Sequence, residues 1–308
     1  MEITRTTITP GISARPARAT ATVSEEEGPQ DTALLERPNP KTPLLQKAVC
    51  GAVAGATVWN IHNIAGQIAS LPGVTSKVVA AALTAGSMVA GWAAADLGSG
   101  IFHWAVDNYP TRHTPVIGNL AEEFQVHHHE RTSILERSTA SNFAQVGMFA
   151  ALPLLATAVV NPHYAIAAGV SSMLLGTSLS QASHRWTHDP QAPGYTKVFQ
   201  KLHISEGRAD HAKHHAMPWD DYYCVVNGMW NPLMSRTLAW RKLEKGIYQI
   251  TGREPKSWRD PGVKQLALGE VSREDFLKDR KVNRAVFREI ALRDYTDYKE
   301  YKAAQGAA

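Results

Sequence analysis

Long apolar stretches in the middle of the chain restrict its fold more than any other feature of the sequence. They fall between residues 48 and 183, where glycine, alanine and serine are frequent. A helix needs about 20 apolar residues to cross the hydrocarbon core of a bilayer, and small residues let membrane helices pack closely. The sequence therefore predicts an all-α, polytopic membrane protein with about four transmembrane helices, over residues 48–69, 76–95, 144–161 and 164–183.

The first of these stretches is the weakest, because Asn60, His62 and Asn63 interrupt it. A soluble helical bundle with small residues at its interfaces is the alternative fold. The other three stretches argue against it, since they contain no acidic residue and Lys77 is their only basic residue. We therefore favour the membrane protein.

Polar segments flank the apolar region on both sides. Threonine and arginine are frequent in residues 1–23, and Glu2 is the only acidic residue there, which resembles an organellar transit peptide. The alternative is a disordered tail of a bacterial protein. We divide the chain into a leader (residues 1–45), a membrane-embedded domain (46–262) and a charged, amphipathic helical extension (263–308), which we interpret as a docking or peripheral helix.

Charge and cysteine content exclude some classes of function. The formal net charge is +4, and no dense block of lysine and arginine indicates a nucleic-acid partner. The two cysteines, Cys50 and Cys224, are too few for a disulfide framework or a tetrathiolate zinc site.

Loop charges predict the orientation of the four spans. If residues 76–95 end on one face of the membrane, then residues 96–143 and everything after 184 lie on that same face. The basic residues of these segments are therefore on one side, among them Arg112, Arg131, Arg137, Arg185, Lys197, Lys201, Arg208 and Lys213. By the positive-inside rule this side is cytosolic, or stromal in a plastid.

Most of the thirteen histidines also fall on this side, in four clusters along the sequence. Two clusters have the spacing of one helix face, where residues three and four apart are neighbours. Three consecutive residues cannot share a helix face, so in the run 127–129 we expect the first two to be ligands and leave His129 out. The clusters are His103, then His127, His128 and His129, then His184 and His188, and finally His211, His214 and His215.

So many imidazoles on one side indicate a metal centre, because neutral imidazole is the commonest metal ligand in proteins. The supply exceeds the four ligands of a single zinc ion, and imidazole also suits non-haem iron that engages dioxygen. Asp107, one helical turn after His103, is either a ligand or a polar partner. Asp96 either orients a histidine or sits at the membrane boundary. Unrelated surface histidines are the alternative to a binuclear centre.

Several motifs in a fixed order resemble the Kua/plasmanylethanolamine desaturase family over roughly residues 90–262. Within that family the chain is most similar to the plastid fatty acid desaturase 4 branch, which GREPKSW at 252–258 and Asp210 also support, since the animal branch has a histidine in place of Asp210. The motifs are DLGSGIFHWAVDN at 96–108, TPVIG at 114–118 with FQVHH at 124–128, HRWTH at 184–188, RADHAKHH at 208–215 and YYCVVNGMWNP at 222–232.

The resemblance implies a four-span desaturase with two Fe ions, with dioxygen as co-substrate. It further implies a membrane phospholipid as substrate and an external electron donor, ferredoxin in a plastid or a cytochrome b5-type protein. Asp107 is an additional candidate ligand, and His203 matches a histidine of the animal branch that the plastid branch lacks, so its role stays open. The implied ligands are His103, His127, His128, His184, His188, His211, His214 and His215.

The expected reaction is the introduction of the 3-trans double bond into palmitate on phosphatidylglycerol, in a plastid membrane and on its stromal side. One alternative is a plasmanylethanolamine desaturase, which forms the vinyl ether of plasmalogens in the endoplasmic reticulum or a bacterial inner membrane. A membrane hydroxylase on a similar histidine scaffold is a second. A non-catalytic, metal-binding membrane scaffold is an alternative of another class.

Overall fold

The computed structural model of this protein describes residues 40–306, apart from the side chains of residues 281–283, 301, 305 and 306. This part of the chain is helical and has no strand, as predicted, while the leader before residue 40 lies outside it. Short 3₁₀ turns occur at Ser133–Glu136 and Lys256–Arg259. The helices are α1 (Leu44–Ala69), α2 (Gly73–Asn108), α3 (Gly118–His129), α4 (Thr139–Val160), α5 (Tyr164–His188), α6 (Gly194–Lys201), α7 (Arg208–His214), α8 (Asn231–Arg236), α9 (Ala239–Thr251), α10 (Pro261–Leu268) and α11 (Arg273–Gly306).

A bundle of four long helices forms the body of the molecule. Helix α5 packs against α1, α2 and α4, and α1 also packs against α4. Helices α2 and α5 cross closely at two glycines, because a Cβ atom on Gly91 would lie only 2.1 Å from the carbonyl oxygen of Gly169. Glycine at such a crossing lets two backbones meet without side chains between them, which is typical of membrane helix packing.

Two polar side chains show how the bundle helices are held together. Asn60 on α1 donates to the carbonyl oxygen of Leu154 on α4 at 3.0 Å. Ser172 on α5 donates to the carbonyl oxygen of Met88 on α2 at 2.7 Å. The outer surface instead exposes large apolar side chains, among them Val58, Val79, Val89, Phe149, Leu152 and Ile166. This distribution is the reverse of the usual one for a helix in water.

Two of the helices, α2 and α4, are long and apolar enough to cross a membrane, with mean hydropathies of 1.6 and 1.9 over their most apolar stretches. The helices α1 and α5 coincide with the other two predicted spans but fall short of that hydropathy. Their deficit is explained by polar residues such as Asn60 and Ser172, which lie at helix contacts. The four-span topology remains a prediction.

The ends of the bundle are distinct. At one end the start of α1 meets the start of α4, where Thr42 Oγ1 lies 2.6 Å from Ser138 Oγ. At the other end Gln67 Nε2 donates to the carbonyl oxygen of Pro162 at 2.9 Å. Helices α2 and α5 run towards the first end. The 36 residues of α2 extend over about 54 Å, longer than a hydrocarbon core of about 30 Å, so its last turns project beyond any span.

The C-terminal extension packs onto the rest of the protein. Trp258 joins Val263, Leu266 and Phe276 in one buried apolar cluster. Phe287 on α11 contacts Trp219 with the two ring centroids 5.2 Å apart. Helix α11 therefore lies against the end of the bundle at which α2 and α5 finish; the proposed domain boundary at 262 remains a prediction.

Candidate metal centre

The predicted histidine clusters meet at the end of the bundle where α2 and α5 finish. Their ligand atoms form two groups, and within each group the atoms lie within 4.8 Å of one another. Helices α3, α5 and α7, with the residue that follows α7, supply the first group, which consists of His127, His184, His188, His211 and His215. Helices α2, α3 and α7 supply the second, which consists of His103, Asp107, His128 and His214.

In the first group the Nε2 atoms converge on a common point. His188 Nε2 lies 3.1 Å from His127 Nε2 and 2.8 Å from His211 Nε2. His127 Nε2 in turn lies 2.9 Å from His184 Nε2. Neighbouring ligands that meet at right angles around an ion, with metal–nitrogen bonds of about 2.1 Å, are about 3 Å apart. The separations therefore fit imidazoles that share one cation in a coordination sphere larger than a tetrahedron.

In the second group a carboxylate takes the central place. Asp107 Oδ2 lies 3.1 Å from His128 Nε2, 3.4 Å from His103 Nε2 and 3.7 Å from His214 Nε2. All four side chains are buried. Asp107 thus lies in the ligand set itself and not at the edge of it, which favours the first of its two predicted roles.

Backbone carbonyl groups orient two of these imidazoles. His103 Nδ1 lies 3.1 Å from the carbonyl oxygen of Tyr223, and His214 Nδ1 lies 2.9 Å from that of Asp221. A carbonyl oxygen only accepts hydrogen bonds, so Nδ1 is the protonated nitrogen in both rings. The unprotonated Nε2 atoms therefore face the second group, as a metal ligand requires.

Glu206 was not predicted from the sequence, but its side chain contacts a histidine of the first group. Its Oε2 lies 3.2 Å from His211 Nδ1, and both side chains are buried. Its backbone N–H donates to Ser183 Oγ at 2.9 Å, next to His184 on α5. A carboxylate behind a ligating histidine is a recurrent arrangement at metal sites. The signal in the sequence was an acidic residue between two histidine clusters, in the run HISEGRADHAKHH.

Several nitrogen atoms of the two groups have no other partner. Among the described residues, both ring nitrogens of His215 and the Nε2 of His214 are buried without a hydrogen bond. Burial lowers the pKa of His128 to about 3 and holds the pKa of His214 and His215 well below the usual value. These imidazoles are therefore neutral, which is the ligand form, and a shared cation would satisfy lone pairs that otherwise cost free energy. The residues present fit a metal centre.

The two groups are neighbours, which favours a binuclear centre. His127 and His128 are consecutive but belong to different groups. The ring centroids of His103 and His184 are 6.0 Å apart, and those of His128 and His215 are 5.5 Å apart. Nine ligand side chains in two adjacent groups exceed what a single ion coordinates.

Three candidate residues lie outside both groups. His129 stacks on Tyr295 of α11, with ring centroids 4.4 Å apart. His203 is exposed, and its carbonyl oxygen accepts a hydrogen bond from Asn227. Asp96 is fully buried and accepts hydrogen bonds from the backbone N–H groups of Asn227, Gly228 and Trp230 at 2.9, 2.9 and 3.2 Å. Asp96 therefore holds the loop that follows Tyr223 and has no described contact with a histidine.

Comparison with known proteins agrees with this site. Fatty acid desaturase 4, chloroplastic, of Arabidopsis thaliana is 35% identical over 188 residues, which are 59% of this chain and 57% of that protein. Fatty acid desaturase 4-like 1, chloroplastic, of the same plant is 36% identical over 177 residues, or 56% of this chain and 59% of that protein. Plasmanylethanolamine desaturase 1 of Mus musculus is 26% identical over 181 residues, or 55% of this chain and 67% of that protein.

The chain thus spans less than two thirds of the length of the plant relatives named here. No solved structure matches it. The model of the lipid desaturase domain matches residues 92–258, which include every residue of the two ligand groups. Because this match covers more than half of the chain, the protein belongs to the lipid desaturase family.

Proposed function

We propose that this protein is a membrane-bound di-iron desaturase that introduces the 3-trans double bond into palmitate on phosphatidylglycerol. The observation that carries the proposal is the pair of adjacent, buried ligand groups at one end of an apolar bundle. All eight histidines implied by the family resemblance belong to these groups, together with Asp107.

Two iron ions held by these side chains would supply the activation of dioxygen, with two electrons from an external donor. The overall change removes two hydrogens from neighbouring CH₂ groups of the substrate and forms a carbon–carbon double bond. One dioxygen accepts these two hydrogens together with two electrons and two protons. The oxygen is thereby reduced to two water molecules. We propose ferredoxin as the donor in a plastid, with a cytochrome b5-type protein as the alternative.

The chain's own residues hold the ligands and keep water away from them. Trp219 stacks on His128 with ring centroids 4.6 Å apart, and Tyr223 contacts His214 with centroids 5.1 Å apart. Both aromatic side chains are buried. A dry and rigid site protects a reactive centre from side reactions and places the correct carbons within about 3–3.5 Å of the oxidant.

The position of the site along the bundle axis, beyond the apolar part of α2, supports reaction near the headgroup end of the lipid. His103 and Asp107 lie on the part of α2 that continues past residue 95, where the apolar stretch ends. A lipid that reaches such a centre from the bilayer would present the carbons nearest to its headgroup. This position suits both a double bond close to an acyl carboxyl group and a vinyl ether next to glycerol.

The plastid branch is favoured over plasmalogen synthesis by similarity. The two plant desaturases are 35% and 36% identical to this chain, whereas the mouse and Myxococcus xanthus plasmanylethanolamine desaturases are 26% and 25% identical. On this basis we propose a plastid membrane as the location, with the metal centre on the stromal side.

We further propose that α1 and α5 cross the membrane with α2 and α4. Asn60 and Ser172 face other helices, and the turn near Pro162 is poor in basic residues compared with the opposite end. Single cysteines at Leu71 and Ala192, in a chain whose Cys50 and Cys224 are replaced by serine, test this in sealed vesicles. An impermeant thiol reagent should label only one of the two sites from outside, and labelling of both from one side would contradict the topology.

Lipid analysis in a host without a related desaturase tests the reaction. Wild-type protein should yield trans-3-hexadecenoyl phosphatidylglycerol, and His188→Ala should abolish that product at equal protein abundance. His203→Ala is the matched control, because His203 is exposed and outside both ligand groups. Acid-labile vinyl ethers as the product would contradict the proposal and indicate plasmalogen synthesis. A hydroxylated, saturated product would contradict it and indicate a hydroxylase. An unchanged lipid profile with bound metal would indicate a scaffold.

A further inference from the structure

A cavity of about 220 Å³ lies beside the second ligand group. The last turn of α2, helix α3, the 3₁₀ turn at 256–259 and helix α11 enclose it, so it lies on the side of the metal centre away from the bundle. Asp107 is part of its wall and connects it to the ligand group. Trp219 and Tyr295 supply aromatic surface. The other charged residues of the wall are the basic Arg112, Lys256 and Arg259 and the acidic Glu122 and Asp294.

The cations of this cavity differ in how they are neutralised. Arg259 pairs with Asp294, which also lines the cavity. The ammonium group of Lys256 has no hydrogen bond or ion pair with any described side chain, although Lys256 is only partly exposed. Burial lowers its pKa to about 8, so it carries a proton at neutral pH. Asp107 and Asp294 act on this ammonium group only from a distance. A partly buried cation without a direct partner is costly unless a ligand supplies one.

The segment that carries Lys256 is held in place from both sides. The backbone N–H of Ser257 donates to Asn108 Oδ1 at 3.0 Å, at the end of α2. The indole Nε1 of Trp258 donates to Glu244 Oε2 on α9 at 3.0 Å. These buried contacts fix the backbone that carries Lys256 before any ligand arrives, and such preorganisation favours binding.

We propose that this cavity receives the phosphodiester group of the lipid substrate, with Lys256 as its counter-ion. The inference rests on the proposed function and adds a binding site for the headgroup. Along α2 the apolar span comes first, then His103 and Asp107, and then the cavity. A phospholipid follows the same order from acyl chain to phosphate. Only glycerol and an ester link separate the phosphate from the first acyl carbons, so a phosphate held here places those carbons at the centre.

Lipid binding to the full-length protein tests the inference without turnover. Native mass spectrometry in detergent, in the absence of reductant, would compare dipalmitoyl phosphatidylglycerol with dipalmitoylglycerol, which has the same acyl chains and no phosphate. Lys256→Met should reduce the bound phosphatidylglycerol at least fivefold and leave dipalmitoylglycerol unchanged. Lys256→Arg should retain most of the binding. Lys242→Met is the control, because Lys242 is an exposed lysine on α9 outside the cavity.

A second measurement uses the wild-type protein alone. Phosphatidylglycerol should protect the Lys256 amine from acetylation, mapped by peptide mass spectrometry, whereas dipalmitoylglycerol and millimolar inorganic phosphate should not. Equal phosphatidylglycerol binding by wild type and Lys256→Met would overturn the inference, as would protection by inorganic phosphate alone. Iron content, measured on the same samples, separates the two proposals. Loss of phosphatidylglycerol binding by Lys256→Met at wild-type iron content supports the headgroup site. Absence of a desaturated product from the wild-type protein would count only against the proposed reaction.

Discussion

His211 Nδ1 lies 3.2 Å from Glu206 Oε2, with neither side chain exposed to solvent beyond 2%. The contact ties helix α7 to the segment before it, and Glu206 is in turn held by its backbone N–H, which donates to Ser183 Oγ of α5. Burial raises the pKa of Glu206 and lowers that of His211, so it favours the neutral form of each. An ion on His211 Nε2 would favour the carboxylate form and strengthen the contact.

Replacement of Glu206 tests its role as a positioning residue. Glu206→Ala should lower iron affinity or activity about 10- to 100-fold, the range for partners that orient ligating histidines. Glu206→Gln, which keeps an acceptor for His211 Nδ1, should recover part of the loss. Iron per polypeptide and the absorption spectrum of the iron-loaded protein measure the effect.

The control for this pair is Glu254→Gln, because Glu254 is exposed and pairs with Lys264 at 2.8 Å, away from the ligand groups. It should change neither iron content nor spectrum. Equal loss of iron in Glu206→Ala and Glu206→Gln, together with a lowered melting temperature, would assign Glu206 to fold stability alone.

Separate substitutions in the two ligand groups test whether each group holds its own ion. His188→Ala removes a side chain whose Nε2 contacts two others of the first group, and His128→Ala removes a ligand of the second. Each variant should retain about one of two irons, because the other group is intact. Iron analysis by plasma mass spectrometry measures this. His129→Ala, next in sequence and stacked on Tyr295, should keep both.

Asp96 supports the site from a distance. It accepts three backbone hydrogen bonds from residues 227–230, and the same loop begins at Tyr223, whose carbonyl oxygen orients His103. Asp96→Asn turns one acceptor into a donor that faces backbone N–H groups. Hydrogen bonds to a charged group contribute about 1.5–3 kcal/mol each, so we expect a clear fall in melting temperature and partial loss of iron. Asp210→Asn, on the surface and paired with Lys213, should do neither.

The histidines that the structure brings together could be found from the sequence because their spacing reflects local geometry. The pairs His184 with His188 and His211 with His215 are four residues apart, and a helix brings such residues to one face whatever the rest of the fold does. The exclusion of His129 follows from the same geometry, and the structure agrees, since His129 faces Tyr295.

Features that depend on tertiary contacts could not be predicted in this way. Glu206 is one acid among many in the sequence, and only packing places it behind His211. The carbonyl groups of Asp221 and Tyr223 orient ligands through the backbone, which leaves no mark in residue type. The position of Lys256 in a cavity wall could not be predicted either, because residues of α11, distant in the sequence, form another part of that wall.

Hydropathy depends on the environment of a helix and not on its length, so the predicted spans and the observed helices have different bounds. The predicted span 76–95 lies inside α2, Gly73–Asn108, which continues for three further turns that carry His103 and Asp107. Conversely, Asn60 lowers the hydropathy of α1 although its side chain is buried against α4. A pattern averaged over all faces of a helix cannot separate lipid-facing from helix-facing positions.

Two glycines of α2 provide a matched test of the bundle. A Cβ on Gly91 would lie 2.1 Å from the carbonyl oxygen of Gly169, whereas a Cβ on Gly98 would meet nothing within 4 Å. Gly91→Ala should therefore destabilise the protein by about 1–3 kcal/mol as α2 and α5 are forced apart. Gly98→Ala should be neutral or stabilising by up to about 1 kcal/mol, since alanine favours a helix over glycine. Thermal unfolding in detergent measures both, and equal melting temperatures would contradict the close crossing of α2 and α5.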